Sequence, residues 1–156
     1  MSWETGSERI RELIAGGELG QVSPDAGLAR RMLTDARRHL ATAAAAEATG
    51  DLPGAYQLAY DALRKSAASL LEAQGLRATS RGGHVAVQDA VTAQFGSTVR
   101  ALRSFSRIRR ARNGFEYPST EAPGPSTDDV KDAIRVAREV NDAAAKVLES
   151  EILSPW

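Results

Sequence analysis

The stretch DLPGAYQLAYDALRKSAASLLEAQG, Asp51 to Gly75, decides the fold. Asp51-Leu52-Pro53 is a helix start: a carboxylate that can accept from free N–H groups, then a proline in the first turn, where no N–H is needed. Tyr56, Tyr60, Leu63, Ala67, Leu70 and Leu71 then recur at three- and four-residue steps and share one face. Gly75 ends the pattern, as glycine does where a chain leaves a helix in the left-handed region.

The same grammar extends in both directions. Upstream, Ser7 to Ala15 predicts a short helix stopped by Gly16 and Gly17. Ser23-Pro24-Asp25 predicts a helix capped by Ser23, running to Thr49 and stopped by Gly50. Its apolar stripe is Leu28, Met32, Ala36, His39 or Leu40, and Ala43. Downstream, a polar loop over Ala78 to Gly83 precedes a shorter helix from His84 to Phe95, which carries Val87 and Val91. Ser97 is then read as the cap of a helix that continues to Pro118. Pro123, Gly124 and Pro125 mark a loop. Ser126 or Thr127 caps a last long helix with Asp128 and Asp129 in its first turn and a core face of Val130, Ile134, Ala137, Ala144, Val147 and Leu148. No run alternates as a strand does. The expected fold is all-α: an up-and-down four-helix bundle with one or two additional short helices. Residues 1–22 form an N-terminal arm with a short helix, and 23–153 a single bundle. Many core positions are alanine, which predicts close helix packing.

A chain of 156 residues suits one domain large enough to stabilise itself by packing. It has no cysteine, so disulfides and cysteine-bound metal are excluded. Two isolated histidines, His39 and His84, make no metal site, and each is read first as structural. No Gly-rich phosphate loop, Ser-His-Asp set or paired carboxylate stands out, so no cofactor is expected. No apolar run approaches a membrane span and the N-terminus lacks a secretory pattern, so a cytoplasmic protein with no membrane partner is expected. Cationic residues are nearly all arginine, with lysine only at Lys65, Lys131 and Lys146; with the wealth of Ala and Gly this suggests a GC-rich bacterial genome.

The zero formal charge hides a local field. Between Asp89 and Glu116 there is no acidic residue, while Arg100, Arg103, Arg107, Arg109, Arg110 and Arg112 all lie there. Arg100, Arg103, Arg107 and Arg110 step by three or four and share a face, expected to be solvated and able to hold a nucleic-acid backbone. Continuing instead from Leu102 and Phe105 leads to Arg109 and Arg112, which fall on or beside the inner face. An arginine there must find an anion. Either Arg112 pairs with Glu116 or another carboxylate as a structural ion pair, or Arg112, Asn113, Glu116 and Tyr117 line a polar notch that grips phosphate and ribose.

Arg112-Asn113-Gly114-Phe115-Glu116-Tyr117 resembles the motif of HEPN domains, the higher-eukaryote and prokaryote nucleotide-binding helical bundles. Many carry Arg, four residues, then His, often with Asn directly after the Arg; here Tyr117 stands where that His would be. Another branch carries Arg-x-x-Ala-Asp-Tyr, from which Phe115 and Glu116 depart. Ala55 to Leu63 and His84 to Gly96 are similar to the preceding family helices, so the resemblance covers roughly Leu52 to Pro118. It implies a bundle that often forms a homodimer, and in members with the complete motif a metal-independent endoribonuclease, often a toxin paired with a nucleotidyltransferase or another antitoxin. Other members bind RNA, ligands or partners without chemistry. By that resemblance Arg112 and Asn113 would hold phosphate or ribose, Glu116 would orient Arg112, and Tyr117 would replace the base. Arg100, Arg103, Arg107, Arg109 and Arg110 would contact RNA. A phenol, with an ordinary pKa of about 10, is a poor base at neutral pH. Two functions stay open: an RNA-binding or RNA-cleaving toxin–antitoxin or defence-type protein with an altered motif, and a non-catalytic partner-binding module with a structural Arg112.

Overall fold

The computed structural model describes residues 3–156. The order is α1 (Ser7–Ala15), β1 (Leu19–Gln21), α2 (Ala26–Ala48), α3 (Leu52–Gln74), β2 (Leu76–Ala78), α4 (Gly83–Phe95), a 3-10 turn (Arg100–Ser104), α5 (Phe105–Glu116) and α6 (Thr127–Glu149). The fold is all-α, with α2, α3, α4 and α6 as the core bundle and shorter helices around it. No described helix is long and apolar enough to cross a membrane.

Helix α3 is the axle. It packs against α2, α4, α5 and α6, so it is buried almost all round: Ala55, Ala59, Ala62, Ser66 and Ser69 are as enclosed as Tyr60 and Leu63. Small residues let the neighbouring helices approach closely, and the half-buried positions include a polar stripe at Gln57, Asp61 and Arg64. Helix α6 is locked on by Asn141, whose Nδ2 donates to Ser66 Oγ (2.9 Å) and to the Leu33 carbonyl (3.2 Å).

The caps explain the boundaries. Asp51 accepts from the Gly54 N–H at 3.0 Å, and Ser126 and Asp129 form a reciprocal capping box (3.1 and 2.8 Å). Ahead of α2 the cap is Asp25, which accepts from the Leu28 N–H at 2.8 Å, and not the expected Ser23. The buried stripe of α2 is correspondingly turned: Ala29 and Leu33 face inward with Ala36, Leu40 and Ala43, while Leu28 and Met32 lie half-buried at its border.

Two further expectations are corrected. Leu19–Gln21 and Leu76–Ala78 form a two-stranded antiparallel sheet, with Leu19 opposite Ala78 and Gln21 opposite Leu76. Three residues are too few to show alternation, and the pairing is far from local. Ser97 caps no helix. The N–H groups of Thr98 and Val99 turn back to the Phe95 carbonyl (3.1 and 2.7 Å), Val99 is non-helical, and the chain passes through the 3-10 turn before α5 begins at Phe105.

The small sheet positions the loop that leads into α4. Thr79 ties it down, its hydroxyl donating to the Gly17 carbonyl (2.6 Å) and its N–H to that of Glu18 (3.0 Å). Gly82 packs against the same Glu18 carbonyl so closely that no β-carbon fits. This fixes where α4, and His84 with it, begins. At the other end of the sheet, Gly75 ends α3 at φ +77°, where a β-carbon would stand 2.6 Å from the Val22 carbonyl oxygen. Gly75→Ala is therefore expected to cost more than about 1 kcal/mol, seen as a lower urea midpoint with unchanged slope.

Candidate nucleic-acid interface

Arg112 lies on the side of α5 that faces α3, its side chain 19% exposed. Its Nε donates to Gln57 Oε1 at 2.7 Å and its Nη1 to Asn113 Oδ1 at 3.1 Å, and Nη1 forms an ion pair with Glu116 Oε2 at 2.9 Å. The guanidinium sits over the Tyr60 ring, 5.3 Å from its centre. The Nη2 group has no protein partner among the described residues. Two sides of the fork are thus fixed and one is left to donate outward.

That fork borders a cleft of about 470 Å³ between α3, α5 and the following loop. Gln57, Arg112 and Glu116 form its polar rim; Pro53, Tyr56 and Phe115 its apolar floor; Pro118 and Gly124 its far wall. Tyr56 and Phe115 meet edge to face with centroids 4.9 Å apart. Burial pushes the Tyr56 phenol up to about 12, with Arg107 opposing, so it stays protonated.

Asn113 supports Arg112 from the adjacent position but does not line the cleft. Tyr117 does not line it either, and is 77% exposed. The cause is local. Pro118 disfavours the helical region for the residue before it, and Tyr117 takes φ −119°, ψ 70° as α5 ends at Glu116. Tyr117 is five residues on from Arg112, so even a continued helix would set it on another face.

The other arginines lie on two elements, Arg100 and Arg103 on the 3-10 turn and Arg107, Arg109 and Arg110 on α5. Arg100, Arg103, Arg107 and Arg110 are exposed; Arg109 is half-buried, its Nε donating to Gln88 Oε1 at 2.9 Å. They are not equally available. Arg107 is held by Asp132 at 2.7 Å, and Arg135 shares that carboxylate. Burial pushes Asp132 up, but hydrogen bonds from Arg107 and Arg135 outweigh it and hold the carboxyl below its usual range. Arg103 and Arg110 make only backbone contacts, to the carbonyls of Gly96 and Ser106, and Arg100 forms no ion pair among the described residues.

The HEPN domain pattern matches residues 29–148. The chain belongs to the HEPN family. No curated protein and no solved structure gives a match. In this HEPN domain, Gln57 was not singled out by sequence, while Tyr60 was read as core and His84 as structural unless its helix points back towards Arg112. Gln57 anchors Arg112; its signal was the polar stripe of Gln57, Asp61 and Arg64 at helical spacing on α3. The Tyr60 hydroxyl, on a fully buried residue, meets His84 Nδ1 at 2.9 Å. Among the described residues no group of three or more His, Asp or Glu could hold a metal.

Proposed function

We propose that this HEPN domain binds single-stranded RNA at the end of α5 as part of a bacterial toxin–antitoxin or defence-type system. The observation that carries this is Arg112: an arginine half-enclosed at the rim of a cleft, fixed along two edges, with Nη2 left to donate. A guanidinium held this way grips a phosphate at little entropic cost. The apolar floor with Phe115 offers a surface for a base, and stacking tolerates any sequence. Binding is favoured over cleavage because the carboxylate at the cleft, Glu116, is paired with Arg112. Tyr117 faces solvent, and the Tyr56 phenol is held protonated.

The test is anisotropy of a short labelled RNA in EDTA, with product analysis on a gel. Saturable binding without cleavage is expected, and Tyr117→Phe should change neither. Cleavage that disappears in Tyr117→Phe would overturn the binding-only function. Arg100→Ala and Arg110→Ala should each weaken binding modestly and lower the slope of log affinity against log salt by about 0.7 per lost phosphate contact. Equal slopes would remove these residues from the interface.

A second function is favoured by one observation. Tyr117 is a large exposed aromatic at the tip of the site. It suits a docked protein, such as a second copy or a nucleotidyltransferase, with Arg112 then serving as a structural partner of Glu116. Wild-type protein that binds no RNA would favour this alternative.

A further inference from the structure

His84 is far from the Arg112 motif in sequence, but Tyr60 joins the two. The Arg112 guanidinium lies over the face of the Tyr60 ring, and the His84 imidazole meets its hydroxyl. Tyr60 is 0% exposed, so its hydroxyl is closed to solvent. Among the described residues Nδ1 of His84 is its one hydrogen-bond partner. A buried hydroxyl proton needs an acceptor, so Tyr60 donates and Nδ1 accepts. In a neutral imidazole the proton is then on Nε2. His84 is itself exposed, and Nε2 makes no protein hydrogen bond among the described residues. Tyr60 therefore sets a neutral, outward N–H donor beside the Arg112 site.

The charges around it suit an anion. Arg64 from α3 and Arg109 and Arg112 from α5 act on the imidazole, against the single carboxylate Asp61. Arg64 is poorly satisfied: its ion pair with Asp61 is long, at 3.9 Å, and its buried Nε has no partner. Burial, then Arg64 and Arg112, hold the His84 pKa below its ordinary 6.5, with Asp61 opposing, so the imidazole is neutral at neutral pH. A neutral imidazole with its lone pair occupied by Tyr60 cannot take a proton from a ribose hydroxyl at Nε2. It can donate.

We propose that His84 Nε2–H and the Arg64 guanidinium form a second phosphate subsite, which takes the phosphodiester next to the one held by Arg112 on the same strand. This rests on the proposed RNA-binding function. A phosphate there accepts from Nε2–H and relieves the positive field of Arg64, Arg109 and Arg112. It also favours the imidazolium, in which Nδ1 gains a proton and the Tyr60 hydroxyl changes from donor to acceptor. RNA therefore raises the His84 pKa, and affinity increases as pH falls through the bound value, levelling off below the free one. The gain is about tenfold for each unit of that rise.

The test combines long-range proton–nitrogen NMR of the imidazole with anisotropy of a short labelled single-stranded RNA from about pH 5 to 8. Wild type should show the Nε2–H tautomer, a pKa that rises on adding RNA, and tighter binding in acid. His84→Ala should weaken binding about three- to tenfold at neutral pH, the range of one hydrogen bond, and flatten the acid rise. His84→Gln, whose amide can reach the Nε2 position, should keep most of the neutral-pH affinity and lose only the acid rise. Arg64→Gln should weaken binding and reduce its salt dependence. An Nδ1–H tautomer overturns the proposal. So does wild-type affinity and pH profile in His84→Ala; if Arg112→Ala still loses binding, the proposed function stands alone. Wild-type protein that binds no RNA overturns both.

Discussion

Arg112→Ala is expected to weaken RNA binding by one to two orders of magnitude, about 1.5–3 kcal/mol, the range of hydrogen bonds to a charged group. Its stability should change much less. The pair with Glu116 is a one-turn helix pair with a half-exposed carboxylate, and such pairs contribute about 0.3–0.5 kcal/mol. Gln57 is half-buried and can turn to water when its partner is removed. Arg112→Lys separates charge from shape: it keeps the cation but loses the planar fork that Gln57 and Glu116 hold in place, so affinity should fall between wild type and Ala. Glu116→Gln removes one hold on the fork but also a negative charge beside the phosphate, so its affinity should change least of the three. Anisotropy at constant salt measures all three, with urea unfolding as the control. If Arg112→Ala lowers stability by several kcal/mol and leaves RNA affinity alone, Arg112 is structural and the proposed interface is wrong.

How far this site was legible depends on what fixed each residue. The inward placement of Arg112 followed from helical steps taken from Leu102 and Phe105, and both of those are buried. Local rules also reached the caps at Asp51 and Ser126, where the signal is one side chain and the N–H groups next to it. At Ser23-Pro24-Asp25 two good caps stand two residues apart, and composition cannot choose between them. The small sheet pairs segments more than fifty positions apart, with strands too short for any periodicity. Tyr117 was misleading because a motif gives its spacing from Arg112 and not its direction, and where Pro118 ends the helix the phenol lies in solvent. His84 depended on contacts remote in sequence: Gly82 against the Glu18 carbonyl brings α4 back towards α3, and only then does an imidazole meet the Tyr60 hydroxyl. Position on one helix was readable, while convergence of α3, α4 and α5 was not.

Tyr60 is where that convergence is anchored, and Tyr60→Ala is expected to be the most damaging single change at the site. The ring is fully buried, meets Phe105 edge to face at 6.3 Å and His84 at 5.7 Å, and supports the Arg112 guanidinium. Truncating a buried aromatic to Ala costs about 3–5 kcal/mol, since the cavity collapses only partly. For a chain of this size each kcal/mol lowers Tm by about 2–4 °C, so a fall of about 6–20 °C is expected by circular dichroism. Loss of RNA affinity in Tyr60→Ala would not by itself distinguish a lost fold from a lost site. Tyr60→Phe does. It keeps the ring under Arg112 and beside Phe105, and removes only the hydroxyl that donates to Nδ1. Its stability cost should be about 1 kcal/mol, one neutral hydrogen bond. With the hydroxyl gone, Nδ1 no longer accepts a hydrogen bond from Tyr60 and the imidazole can exchange between tautomers. RNA affinity should then fall by no more than in His84→Ala, while the Arg112 contribution persists. If Tyr60→Phe binds as weakly as Arg112→Ala in a fully folded protein, the two sides of the ring are not independent and the division of the site between Arg112 and His84 fails.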